Sequence, residues 1–100
     1  MNKKVVEEVL ERSKGLCELC GSNNQVELHH IVYGSGKRTQ LETPESVIAL
    51  CYEHHKGNYG VHGKNGSYLN INLKRTVQGY YKAQGKSEEE TRKLMGGRLY

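Results

Sequence analysis

A chain of 100 residues with 35% hydrophobic positions, no Trp and no Phe suits one small domain and is too poor in apolar bulk to build a thick core. Such domains lean on a staple, and three cysteines, an odd number, argue against a closed disulfide framework and turn attention to a metal. Fifteen Lys and Arg against eleven Asp and Glu give a net charge of +4, which favours a polyanionic partner such as nucleic acid; no stretch has the apolar length of a signal peptide or a membrane span, so a reducing cytoplasm is the expected setting.

In chain order, residues 2–13 read as a helix, with Val5, Val6, Val9 and Leu10 on one face and Gly15 where a C-cap falls. Residues 17–21 form a tight CxxCG turn. Residues 25–33 alternate weakly through Val26, Leu28 and Ile31, and predict a strand running into His29 and His30. Residues 34–38 are a flexible basic loop. Thr43-Pro44-Glu45 predicts a helical turn with Thr43 as N-cap and proline at the first position. Residues 47–50 are a short apolar run, either a buried strand or the end of that turn, and deliver Cys51.

Residues 52–58 predict a short helix presenting His54 and His55. Gly57, Gly60, Gly63 and Gly66 then mark a long loop. Residues 68–84 predict a helix with Leu69, Leu73, Val77, Tyr80 and Tyr81 on one stripe, ended by Gly85. Ser87 and Glu90 make a capping box that opens a last helix through Leu94 and Met95, stopped by Gly96-Gly97.

Cys17-x-x-Cys20 and Cys51-x-x-His54 are two knuckles, each able to supply two ligands from one tight turn, as a tetrahedral structural zinc requires. The plain alternative is buried free cysteines, but paired short spacing argues against it. The repeated x-x spacing favours His54 as fourth ligand, with His55 as the alternative. His29 and His30 are neighbours on a strand and point to opposite faces, so taken alone one is packed and the other solvated.

These residues carry a resemblance. Glu27-Leu28-His29-His30-Ile31, then Pro44-Glu45-Ser46-Val47-Ile48-Ala49-Leu50-Cys51, then His54-His55, resemble the HNH endonucleases, members of the ββα-metal (His-Me finger) nucleases. The likeness covers residues 17–55 and extends less specifically to residue 66; the small size and the Gly-Val-His-Gly-Lys-Asn-Gly segment look like phage or prophage members. It implies an α+β fold: a zinc-stapled ββα-metal core at about residues 15–66, flanked by an N-terminal helix and C-terminal helices at about 67–96, all in one domain spanning 1–100.

The same resemblance implies that His30 is the general base, that His29 and His55 hold a catalytic divalent metal, and that the family's middle Asn, which braces the loop carrying the base, falls here on Ser46. Two imidazoles favour Mn²⁺, Co²⁺ or Ni²⁺, whereas Mg²⁺ prefers oxygen, so activity with several metals is expected. Lys37, Arg38, Lys56, His62, Lys64, Lys74 and Arg75 are candidate DNA contacts, His62 also a candidate for the metal region, each with an ordinary surface role as the alternative. Tyr33, Tyr52, Tyr59 and Tyr68 are expected mostly in the core, since the chain has neither Phe nor Trp to fill it.

The function implied is metal-dependent hydrolysis of phosphodiester bonds in duplex or branched DNA, in a phage packaging or recombination setting. The rival is a zinc-stapled nucleic-acid-binding module without catalysis, favoured by Ser46. A zinc deaminase needs His-x-Glu and Pro-Cys-x-x-Cys, and neither is present.

Overall fold

The computed structural model describes residues 1–32 and 42–100. Helix α1 (Lys3–Ser13) begins at Asn2, whose side-chain oxygen accepts the N–H groups of Lys4 and Val5. Both are groups the first turn leaves unpaired. The helix ends where Lys14 and Gly15 turn left-handed, at φ 58° and 73°. Val5 and Val9 face inward.

Strands β1 (Glu27–His30) and β2 (Val47–Leu50) pair antiparallel, with His29 opposite Ile48 and His30 opposite Val47. The strand expected over 25–33 is shorter than its apolar pattern. Gln25, at φ 46°, breaks the extended path before it, and after it the ladder keeps only one bond, Ile31 N–H to the Ser46 carbonyl, because the Ser46 N–H turns back to Thr43. Before β2, a single 3-10 turn (Pro44–Ser46) closes as the sequence predicts. Thr43 and Ser46 exchange hydrogen bonds in a capping box, and the run at 47–50 resolves as a strand.

The side chains of β2 alternate. Val47 and Ala49 pack with Val5 and Val9 of α1, while Ile48 and Leu50 belong to the main cluster. Arg12 locks α1 to this edge. Its guanidinium donates to the carbonyls of Pro44 and Val47, both at 2.8 Å, and pairs with Glu18, whose other oxygen takes the Ala49 N–H.

Helix α2 (Tyr52–His55) is a single turn, followed by the glycine-rich segment and then by α3 (Ser67–Ala83) and α4 (Glu88–Leu94). Leu73, Val77 and Tyr81 of α3 are buried at i, i+4 spacing together with Met95 after α4; Tyr80, expected on the same stripe, is largely exposed. Gln78 holds the last residue with two backbone hydrogen bonds to Tyr100. Among the described residues the architecture is α+β, a two-stranded antiparallel sheet with four helices, and no helix is long and apolar enough to cross a membrane. A two-stranded sheet is marginal alone; what braces it here is α1 on one face and the metal-ligand cluster with α3 on the other.

Candidate metal centres

The first centre grows from two turns. In the knuckle at Cys17, the Gly21 N–H returns to the Cys17 carbonyl and the Cys17 N–H donates to Ser22; Gly21 takes φ 77° to close it. Glu18 N–H to the Ala49 carbonyl, at 2.9 Å, lays this knuckle beside β2. Cys51 is the N-cap of α2, so Cys51 and His54 stand on one helical turn.

A tetrahedral zinc with bonds of about 2.3 Å to sulfur and about 2.0 Å to nitrogen sets edges of about 3.8 Å between sulfurs and about 3.5 Å between sulfur and nitrogen. The sulfurs of Cys20 and Cys51 are 3.7 Å apart, and His54 Nδ1 lies 3.6 Å from Cys17 and 3.4 Å from Cys51. Cys17, Cys20, Cys51 and His54 are thus positioned to hold a metal ion, and three thiolates with one imidazole suit zinc. Burial alone opposes a thiolate at Cys17, but backbone N–H groups of Cys51, Leu19 and Cys20 and the Cys20 side chain bring its pKa down to about 6. The choice between His54 and His55 falls to His54; His55 turns the other way.

His55 joins a second cluster. It packs with His29 and His62, with ring centroids 4.9 to 5.3 Å apart, and one ligand nitrogen from each ring lies within 4.8 Å of the others. His29 projects from the β1 face that also carries Glu27, two residues earlier. Glu27 Oε1 meets His55 Nδ1 at 3.2 Å and Lys56 at 3.2 Å; Lys56, then His55, hold this carboxyl below its usual range. A carboxylate on Nδ1 leaves His55 Nε2 as the free ring nitrogen, the arrangement that orients a metal-binding imidazole.

Burial, followed by the nearby His62, His55, His30 and Lys74, pushes the His29 pKa down to about 3, and burial with His55 and Lys56 lowers His62. Near neutral pH these two rings are uncharged, the form that ligates metal. Among the described residues His29 Nε2 is buried without a hydrogen-bond partner, so this nitrogen is available to a ligand.

His62 arrives through the glycine segment, which is a packed coil rather than the long loop the sequence suggests. The N–H groups of Val61 and His62 bond the carbonyls of His54 and His55, at 2.9 and 2.8 Å, and stop α2 short of the predicted residue 58. A Cβ at Gly63 would sit 1.8 Å from the Gly57 carbonyl oxygen, and one at Gly66 1.7 Å from that of Gly60. Glycine at every third position was the available signal for this close winding.

His30 points to the opposite face of β1, towards Glu42. Ser46 is fully buried. Its hydroxyl closes the turn with Thr43, and its carbonyl receives the Ile31 N–H at 2.7 Å, directly after His30. Its backbone thus touches the strand that carries His30, while its side chain serves the turn. Lys56 and Lys64 are exposed, with Lys56 paired to Glu27; Lys37, Arg38 and Tyr33 lie outside the described residues. Tyr52, Tyr59 and Tyr68 are 42, 71 and 79% exposed, against the core role expected of them. Ile, Val and Leu fill the core around the ligand cluster instead. No known protein family, curated protein or solved structure matches the chain.

Proposed function

We propose that this chain is a metal-dependent DNA endonuclease of the HNH type, with a zinc-stapled ββα-metal core. The observation that carries the reading is the meeting of the His29, His55 and His62 imidazoles, of which His29 keeps a buried ring nitrogen with no partner among the described residues. The four-ligand zinc cluster accounts for folding but leaves His29, His30, His55 and His62 without a structural purpose.

In this reading His29, His55 and His62 hold a divalent cation, and His62 is a third ligand rather than a DNA contact. The donor set suits Mn²⁺, Co²⁺ or Ni²⁺ better than Mg²⁺. A divalent cation held there would supply stabilisation of the negative charge that develops as the phosphodiester is cleaved. Glu27 holds His55 in register for that task. His30 takes the proton of a water as its oxygen attacks phosphorus, and the bond to the 3′ oxygen breaks. The net charge of +4 and the exposed Lys64 suit contacts to the phosphate backbone, and a protein this small is expected to read little sequence.

A plasmid-nicking assay tests the reading, run in EDTA, Mg²⁺, Mn²⁺ and Ni²⁺ with His30→Ala alongside. Relaxation of supercoiled DNA that requires a divalent metal and disappears in the variant, with DNA binding retained, is the expected result. DNA binding without nicking in any metal favours the non-catalytic module instead, with Ser46 in the Asn position as its cause.

A further inference from the structure

His30 is held by a carboxylate that no spacing in the sequence connects to it. His30 Nε2 lies 2.5 Å from Glu42 Oε2. The Glu42 side chain is only 2% exposed and that of His30 12%, so the pair is screened from solvent. The other oxygen of Glu42 accepts the backbone N–H of Asn2, the N-cap of α1. One carboxylate thereby joins the start of α1 to the end of β1, and its two oxygens are each committed.

We propose that Glu42 is the positioning residue of His30: it accepts the Nε2–H bond, fixes that tautomer, and leaves Nδ1 as the nitrogen with the free lone pair. The assignment rests on the endonuclease reading only for what the lone pair then does. Burial is the largest influence on Glu42 and opposes its charge, yet His30 and the Asn2 N–H hold its carboxyl below the usual range. An ionised carboxylate accepts and cannot donate, so the proton between the two groups sits on His30 Nε2. Among the described residues no group takes Nδ1. An imidazole pinned at one nitrogen by a buried carboxylate presents the other in a fixed direction, and orientation of this kind is what a proton-abstracting group requires. The parallel with Glu27 and His55 is close. In each case a carboxylate takes one ring nitrogen and leaves the other for chemistry, on the two opposite faces of β1.

The experiment pairs a tautomer measurement with kinetics. Long-range ¹H–¹⁵N correlation spectra of the zinc-loaded protein, at a pH where His30 is neutral, report which ring nitrogen carries the proton. The native protein is expected to show His30 protonated at Nε2. Glu42→Gln, whose amide oxygen also accepts, keeps that tautomer; Glu42→Ala loses the preference and shows a mixture.

In nicking assays with Mn²⁺, Glu42→Ala is expected to lose about 10- to 100-fold in kcat with KM nearly unchanged, while Glu42→Gln recovers most of the rate. Glu42→Gln also covers the case in which the alanine variant does not fold. A native His30 protonated at Nδ1 overturns the proposal, as does a tautomer indifferent to Glu42→Ala or a loss confined to KM. Absence of nicking by the native protein, with a tautomer that does follow Glu42, overturns the endonuclease reading and leaves the Glu42–His30 assignment standing.

Discussion

Cys17 is expected to matter more to stability than any apolar side chain among the described residues. Structural zinc bound by a zinc-finger-like site is worth about 10–16 kcal/mol at neutral pH, as much as the whole stability of an ordinary domain, about 5–15 kcal/mol. The buried apolar side chains here are few and of moderate size, so little remains to hold the fold once a ligand is lost. Cys17→Ser is therefore expected to purify with less than one zinc and to show no cooperative melting transition, read by elemental analysis and circular dichroism. A variant that melts where the native protein does would show that the four ligands are not the staple. These ligands were legible in the sequence because CxxC and CxxH spacing belong to a single turn, and a turn is local. His62 was only a candidate contact, because its approach depends on the coil between Gly57 and Gly66, and Glu42 carried no signal at all, since nothing local ties it to His30.

At the scale of elements, among the described residues some glycines are needed by the fold and Gly79 is not. Gly66 sits where a Cβ would strike the Gly60 carbonyl oxygen, and Gly66→Ala must push apart the coil that delivers His62. A loss of about 1–3 kcal/mol is expected, the scale of overpacking. Gly79 lies in α3, exposed, with no atom within 4 Å of its would-be Cβ. Gly79→Ala should stabilise by about 0.5–1 kcal/mol because alanine restricts the unfolded chain and suits a helix.

The two melting temperatures should move in opposite directions by several degrees, about 4–8 °C per kcal/mol for a domain of this size. Equal shifts would remove the distinction. The helices themselves were readable: Gly15, Ser87 and Gly85 mark ends chemically, and Leu73, Val77 and Tyr81 recur at helical spacing. The strands were readable in place but not in extent, because pairing ends where Thr43 takes the Ser46 N–H, a contact that only the folded turn creates. Arg12 likewise carries no local signal of its role, because its reach to two carbonyls and Glu18 exists only in the folded chain.

At the scale of the whole molecule, the +4 charge sets what a nucleic-acid interface can do. Some cations are already engaged: Arg12 with Glu18, Lys56 with Glu27 and Arg92 with Glu88. An interface drawn from the remainder neutralises few phosphates. With two to four contacts the slope of log K against log salt on duplex DNA should lie at roughly −2 to −4, a loss of roughly 10- to 300-fold in affinity between about 50 and 200 mM salt. Fluorescence anisotropy of a labelled duplex, titrated with the His30→Ala protein so that nothing is cut, measures this slope directly. Because the contacts are to phosphate, duplexes of unrelated sequence should give the same slope and nearly the same affinity. A flat response to salt would mean that the basic balance of the chain serves solubility rather than recognition. The histidine cluster would then have to act on something other than a polyanion.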